Sequence, residues 1–424
     1  MSSPYYDDAE TQDPGQRERS AMARLPALVE RARGNTSAFA DILRGVDAAA
    51  VTSRSALAKL PVTRKHDLLE RQKAAREAGP GQPFGGFSAV GWRGVSPSSG
   101  ARNVFQSPGP IYEPQGHRDD YWRMARALFA AGFRAGDLVH NSFSYHLTPA
   151  GAIAESGALA LGCTVFPGGV GNTELQLQAM VDLGAQGYVG TPSFLRIALE
   201  KAAELGLALP SLTKALVSGE AFPPSLRDWL QERGIAAYQS YATADVGLIA
   251  YETTAREGLV IDEGVVVEIV RPGSGDPVAD GEVGELVVTV FNPDYPLIRF
   301  GTGDLSAILP GACATGRTNA RIKGWMGRAD QTAKVRGMFV HATQIGEVVR
   351  RHPEVVRARL VVSGEMANDR MTLRVEAPGA PEGLGERVAQ SVRDVTKLRC
   401  EVELCAPGSL PNDGKVIEDA RDFG

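Results

Sequence analysis

The chain reads as an α/β protein. We expect a large N-terminal domain of parallel α/β sheets plus a β-barrel-like piece, followed by a small α+β C-terminal domain. Three observations predict this. Between residues 117 and 300 short apolar runs alternate with amphipathic helical segments, and a βα rhythm of that kind makes largely parallel sheet with helices on its faces. From residue 259 the rhythm changes to strands and turns. After residue 337 a separate helix–strand–strand–helix–strand unit begins. At 424 residues the chain is too long for one compact core, so two or three domains are expected. The boundary is placed between residues 1–328 and 329–424.

Taken in order, residues 17–80 are helical in pattern. Ala21, Leu25, Leu28 and Val29, then Ala38, Phe39, Ile42 and Leu43, recur at the three-to-four spacing of one helix face. From Gly79 to Gly100 glycine, proline and serine dominate, which predicts loop. RDDYWRMARALFAAG predicts an amphipathic helix ended by Gly132. Strands follow at DLVHNSF, CTVFPGG, GYVGTP, KALVSGE and IAAYQSY. Helices are expected at GAIAESGALALG, TELQLQAMVDLG, SFLRIALEKAAELG and PPSLRDWLQERG, the last with proline in its first turn. The antiparallel piece comprises LVIDEGVVVEIV, GEVGELVVTVF and PLIRFGTGD. The small unit comprises ATQIGEVVRRH, ARLVVSGE, RMTLRVEA, GLGERVAQSVRDVTKL and CEVELCA, with LPNDGKVIEDARDFG as an exposed tail.

Composition narrows the function classes. Hydrophobic residues make up 43% and charged residues 22%, as in a soluble globular protein. A net charge of −5 without a long basic run argues against a nucleic-acid or anionic-membrane surface. The polar, acidic N-terminus shows no export signal, and no apolar run has the length of a membrane span. Cys163, Cys313, Cys400 and Cys405 lack CxxC spacing, so reduced cytoplasmic thiols are expected rather than a zinc site.

The polar chemistry concentrates between Tyr295 and Gly337, where two Gly-punctuated acidic turns, GTGD and GRAD, each follow a strand-like segment. Glycine and aspartate favour turns for local reasons alone. Their neighbours raise the reading above that. SPSSG, FPGGVGNTELQLQAM, GTPSFL, LVSGEAFPPSLR, SYATADVG, YPLIRFGTGDL, GRADQTAKVRG and LPNDGKV occur in this order over nearly the whole chain. In that order and spacing the chain resembles the phenylacetate–CoA ligase branch of the acyl-adenylate-forming, AMP-binding superfamily.

The resemblance implies a two-step reaction. A carboxylate attacks the α-phosphorus of MgATP to give an acyl-adenylate and pyrophosphate, and the thiol of coenzyme A then displaces AMP. Negative charge develops around the α-phosphate in both steps, so positioned cations and N–H donors carry the catalysis. The implied cofactors are ATP, Mg²⁺ and coenzyme A, and the implied partner is a small carboxylic acid, aromatic or similar. The resemblance leaves a homodimer open.

Residue by residue, the resemblance assigns Asp304 to the ribose hydroxyls, which a carboxylate accepts well. Arg328 adds a second ribose contact, and Asp330 is the hinge about which a mobile small domain rotates. Lys415 is the catalytic lysine. Taken alone a lysine in a polar tail is a solvated charge, but a compact ammonium suits bridging carboxylate and α-phosphate. The nucleotide set further comprises Glu220, Ala221, Ser240 and Tyr241 around the adenine, with Ser99 and Gly100 from the phosphate loop. Asp245 stands where the family has a metal-binding glutamate. Phe143, Tyr145, His146 and Gly219 line the acyl pocket, and His146 stands where the family more often has a small residue.

The chain departs from the family at the phosphate loop. SSGARNVFQSPGP keeps Ser98, Ser99 and Gly100 but lacks the threonine pair, the second glycine and the lysine, and Arg102 is the replacement cation to consider. Ala244 replaces a hydroxyl residue before the metal-binding acid. Losing two or three charge-assisted hydrogen bonds of roughly 1.5–3 kcal/mol each weakens triphosphate binding by about 10²–10⁶-fold. Three readings therefore stand. The first is an AMP-forming acid–CoA ligase. The second is an adenylate-fold acyl or thioester transferase with lost or altered ATP use. The third is a non-catalytic nucleotide- or acyl-binding homologue.

Overall fold

The structure is a computed structural model. It describes every residue except 1–2, 80–82, 93–99, 272–273, 328, 330–331, 337, 365–367, 412–415 and 422–424, and at 332, 334, 339, 341 and 343 it describes the backbone alone. Two compact units result, Met1–Met326 and Gly327–Gly424.

The first unit begins with α1 (Pro14–Asn35), α2 (Ser37–Ile42) and α3 (Arg54–Leu57), then β1 (Thr63–Arg64) and α4 (Lys65–Ala78). Asp13 caps α1, accepting a hydrogen bond from the Gln16 amide at 2.8 Å, and Pro14 fills the first helical position, where no N–H is needed. Its apolar stripe of Met22, Leu25, Leu28, Val29 and Ala32 is buried. The stripe packs in one core with Phe39, Leu57 and residues of β11 (Val265–Val270) and β12 (Gly284–Val290). Together with β13 (Phe300–Ser306) these strands form a four-stranded sheet in the order β1-β13-β12-β11.

A hairpin follows α4, β2 (Asn103–Ser107) with β3 (Ile111–Gln115), in a stretch the sequence left unassigned. The Gln72 side chain of α4 donates to the Tyr112 carbonyl (2.9 Å) and accepts from the Tyr112 amide (2.8 Å), fixing β3 against the helix. Then the βα rhythm runs as read: α5 (Met124–Ala130), β4 (Leu138–Asn141), α6 (Ala150–Ala160), β5 (Thr164–Pro167), α7 (Thr173–Leu183), β6 (Gly187–Gly190), α8 (Pro192–Glu204), β7 (Lys214–Val217), α9 (Pro224–Gln231) and β8 (Ala236–Thr243). α5 is shorter than the helix expected over RDDYWRMARALFAAG. Arg123 is left-handed (φ 66°), held by its bond to Asp262 (2.7 Å) and to the carbonyls of Val246 and Leu248.

β9 (Gly247–Tyr251), β10 (Leu259–Ile261), β14 (Ile308–Leu309) and β15 (Arg321–Ile322) extend the parallel sheet with antiparallel strands. Among the described residues the result is one nine-stranded sheet, β14-β15-β10-β9-β8-β7-β6-β4-β5. The antiparallel strands of the region expected to be barrel-like thus divide between this sheet and the four-stranded one. GTGD is not a turn. It lies inside β13 as a bulge: Val287 pairs with Gly301 and Glu285 with Leu305, so Thr302, Gly303 and Asp304 oppose Leu286 alone. Gly303 supplies the positive φ (74°) that this needs.

The second unit holds the hairpin β16 (Thr332–Val335) and β17 (Met338–His341), helices α10 (Ala342–Arg351) and α11 (Leu384–Thr396), and a sheet of β18 (Arg357–Ser363), β19 (Arg370–Glu376), β20 (Glu401–Cys405) and β21 (Ile417–Asp419) in the order β20-β19-β18-β21. Its core comprises Val348, Leu360, Leu373, Val388 and their neighbours. Among the described residues no helix is long and apolar enough to cross a membrane.

Candidate active site

In an open parallel sheet, ligands bind beyond the carboxyl ends of the strands, near the point where strand order reverses. Here the order turns at β4, which has β5 on one side and β6 on the other. The segments leaving β4, β6 and β7 carry Phe143 to His146, Thr191 and Ser193, and Ser218 to Ala221, while Ser240 to Asp245 span the end of β8 and its exit. Most of the sequence-predicted site residues thus share one edge of the first unit.

The Tyr241 hydroxyl on β8 donates to Asp304 Oδ2 at 2.6 Å, across 63 residues of chain. The bulge aims Asp304 outward. Its amide is tied back to Thr302 Oγ1 (3.1 Å), and that hydroxyl donates to the Leu286 carbonyl (2.9 Å). Trp325 Nε1 donates to the other carboxylate oxygen at 3.1 Å, although the indole is 38% exposed. Sequence reasoning missed Trp325. The available signal was an aromatic residue inside RIKGWMGRAD.

Around the expected acyl pocket, Asn141 at the end of β4 organises the following loop. Its Oδ1 accepts from the Phe143 amide (3.1 Å), and its Nδ2 donates to the Tyr145 hydroxyl (2.7 Å) and the Gly151 carbonyl (2.9 Å). Burial pushes the Tyr145 phenol up, as does Glu155 nearby. Gly219, with φ 83°, faces Phe143 and Thr191 at ordinary contact distance. Ser193 Oγ donates to Glu220 Oε2 at 2.5 Å, and Ser218 Oγ donates to the Ser240 carbonyl at 2.7 Å, tying the SGEAF segment to β8. Ala221 follows Glu220 in that segment, half-buried.

The structure changes the reading of two residue types. His146, singled out from the sequence, is exposed on the loop, where its backbone bonds the Ser144 hydroxyl. His140, by contrast, is buried, stacked on Phe166 (5.3 Å, 15°) with Nε2 bonded to Gln176 Oε1 at 2.7 Å. Desolvation lowers its pKa, against a smaller raising effect of Gln176. Arg299 of PLIRFGTGD is a fully buried pin. It pairs with Glu268 (3.0 Å) and donates to the carbonyls of Ala58, Leu60 and Gly275.

Asp245 lies in the β8–β9 connection, its side chain 2% exposed. Lys65 Nζ, at the start of α4, reaches Asp245 Oδ2 at 3.3 Å. Asp245 Oδ1 has no hydrogen-bond partner among the described residues, so a cation could be accepted there. Glu113 of β3 is buried close by. Desolvation, then the charge of Asp245, pushes its carboxyl up to about 8, while Lys65 and the Ser107 hydroxyl pull it down. Gly100 bridges to Gly91 just before the β2–β3 hairpin, and Arg102 is exposed. Ser99, Arg328, Asp330 and Lys415 lie outside the described residues.

Residues 124–290 match the family model described as AMP-binding enzyme. The phenylacetate–coenzyme A ligase of Escherichia coli K12 is 31% identical over 384 residues, covering 85% of this chain and 84% of that protein. The chain belongs to the phenylacetate–coenzyme A ligase family. The corresponding ligase of Aromatoleum evansii is 30% identical over 392 residues, covering 87% and 84% of the two chains. A 2-hydroxyisobutyryl-CoA ligase solved with 2-HIB-AMP and CoA, 24% identical, covers 99% of this chain and 93% of its own at a TM-score of 0.81. At that identity it shows that the family fold extends over the whole chain.

Proposed function

We propose that this family member is an ATP-dependent, AMP-forming acid–CoA ligase acting on a small carboxylic acid, with an aromatic acid as the favoured class. The observation that carries the reading is the Tyr241–Asp304 pair: a carboxylate held at 2.6 Å on a bulge, at the strand-end edge expected of a nucleotide site. The phenylacetate specificity in the relatives' names supports the aromatic class, and Phe143 beside Gly219, with Tyr145 on the same loop, suits a flat ring.

In this reading Asp304 accepts the two ribose hydroxyls while Tyr241 and Trp325 hold its orientation. Glu220, Ala221 and Ser240 border the adenine, with the Ser218–Ser240 bond keeping the two segments in register. The acid rests against Phe143, Tyr145 and Gly219, with exposed His146 at the mouth. Its carboxylate oxygen attacks the α-phosphorus and the bond to pyrophosphate breaks. Lys415 neutralises both charged oxygens. The coenzyme A sulfur then attacks the acyl carbon, the C–O bond breaks and AMP leaves, with rotation about Asp330 between the steps. Asp245 would hold magnesium, which when bound would supply charge neutralisation at the phosphates. All four cysteines are free thiols, which supports a cytoplasmic location.

A second reading, acyl or thioester transfer without normal ATP use, is favoured by the segment after Gly100, which lacks the loop lysine. Pyrophosphate release from MgATP with a panel of aryl acids separates the two. Acid-dependent release followed by acyl-CoA formation is expected. No release with any acid, alongside measurable AMP binding by calorimetry, would sink the ligase reading.

A further inference from the structure

We propose that His140 is a positioning residue for an aryl-acid pocket, acting through Gln176 on the Gly168–Gly171 segment that stands against Tyr145. The inference deepens the ligase reading and rests on it for the assignment of Tyr145 to that pocket.

His140 precedes Asn141 on β4, so the two side chains leave opposite faces of the strand. Asn141 holds the Tyr145 hydroxyl at 2.7 Å from one face. On the other, His140 is 1% exposed and stacks on Phe166, its register partner in β5. Its Nε2 meets Oε1 of Gln176, a buried side chain in the first turn of α7, at 2.7 Å. Gln176 Nε2 donates to two backbone carbonyls, Gly169 at 3.0 Å and Gly171 at 2.6 Å. Those two bonds fix which end of the amide is nitrogen. Oε1 therefore faces His140 as an acceptor, which assigns the imidazole proton to Nε2. Nδ1 has no hydrogen-bond partner among the described residues, and desolvation favours the neutral ring that this arrangement requires.

The backbone held in this way does not hold itself. Gly169, Gly171 and Asn172 take positive φ (67°, 79° and 49°), a run that needs outside bonds to keep one shape. Gln176 supplies two of them, and the Asn141 carbonyl supplies a third by accepting from the Gly169 amide at 3.0 Å. A Cβ at Gly168 would stand 2.8 Å from both Gln176 Oε1 and His140 Nε2, so the segment is seated directly on that pair. A Cβ at Gly169 would stand 3.8 Å from Tyr145 Cδ2, at ordinary contact distance. The segment thus backs the Tyr145 ring, and its placement sets how far that ring yields to a bound acid. Burying an imidazole costs desolvation that an apolar side chain would avoid. What the imidazole adds here is a donor that locks one amide orientation.

The test is calorimetric titration of wild type, His140→Phe and His140→Gln with AMP, and of each AMP-loaded protein with phenylacetate. Phenylalanine keeps the stack on Phe166 and loses the donor, whereas glutamine returns an N–H near the position of Nε2. His140→Phe is expected to weaken phenylacetate binding by about tenfold and to leave AMP within about twofold of wild type. His140→Gln should recover most of that loss. Unchanged phenylacetate binding in folded His140→Phe overturns the proposal, and so does an equal loss for AMP, the mark of general damage. A His140→Gln variant as weak as His140→Phe overturns it too, because the donor then does not matter. Should His140→Phe not fold, Gln176→Met carries the same test with the same expectations. Wild type that binds no phenylacetate at millimolar concentration refutes the aryl pocket and the proposal with it. Pyrophosphate release is not read in this experiment, so the ligase reading stands or falls by its own assay.

Discussion

Removing the Asp304 carboxylate tests the nucleotide grip directly. The group offers about four lone-pair sites, and the Tyr241 hydroxyl (2.6 Å) and Trp325 indole (3.1 Å) are among its donors. Two ribose hydroxyls donating to it form charge-assisted bonds of roughly 1.5–3 kcal/mol each. The site is half-buried, so the lower figure applies, and Asp304→Ala costs about 3 kcal/mol, or about 10²-fold in AMP affinity. Asp304→Asn keeps the shape and one acceptor, so a loss of about tenfold is expected. Tyr241→Phe removes only the orienting bond, and its effect on AMP should shrink in the Asp304→Ala background, because the two changes act through one interaction. Calorimetric titration with AMP, with thermal melting as the folding control, gives all four corners of the cycle. A folded Asp304→Ala variant that binds AMP within about twofold of wild type would refute the ribose assignment.

Arg299→Ala strands buried Glu268 and three carbonyls, so a loss of about 3–5 kcal/mol is expected in urea unfolding, shrinking toward acid pH as Glu268 becomes protonated. Asp120 is held up to about 6, chiefly by burial, against 3.8 for the exposed group. As pH rises the unfolded chain releases this proton first, so the stability is fully present below about 3.8 and is lost up to about 6. Asp120→Asn should therefore gain up to about 3 kcal/mol relative to wild type between about pH 4 and about pH 7, measured as a difference of urea midpoints. Gly219→Ala places a methyl near Phe143 and Thr191 on a left-handed backbone. It should cost about 1–2 kcal/mol in stability and lower kcat/KM for bulky acids more than for small ones.

The parallel half of the fold was legible because its signals are local. Apolar runs bounded by glycine mark the strands, and a 3.6-residue stripe marks the helices. The β2–β3 hairpin was not legible. Pro108, Pro110 and Pro114 interrupt its alternation, and it is fixed by the side chain of Gln72 about 40 residues upstream. The start of α5 was set from outside as well, by Arg123 reaching Asp262 across 139 residues. Site residues divide the same way. Asp304 and Tyr241 were found because their segments carry recognisable patterns, but their hydrogen bond depends on how two sheets meet. Arg299 shows the opposite failure. A charged residue beside GTGD looks exposed in a linear reading, and only its four buried partners reveal a structural role. His146 is exposed while His140 is buried, a difference that is not written in the local sequence.

The two ends of the proposed nucleotide site answer to different physics. The ribose end relies on hydrogen bonds already formed in the protein, Tyr241 and Trp325 to Asp304. The phosphate end carries Asp245, paired with Lys65 at 3.3 Å. A carboxylate repels a phosphate charge, and a triphosphate multiplies that. A cation between them reverses the sign. ATP affinity should therefore rise steeply with manganese concentration, while AMP affinity, set at the ribose end, should rise far less. Asp245→Asn should flatten the metal dependence for ATP and leave AMP binding nearly unchanged. Calorimetry of both nucleotides across a manganese series measures this. Equal metal dependence for AMP and ATP would place Asp245 away from the phosphates and return the burden of binding them to Arg102.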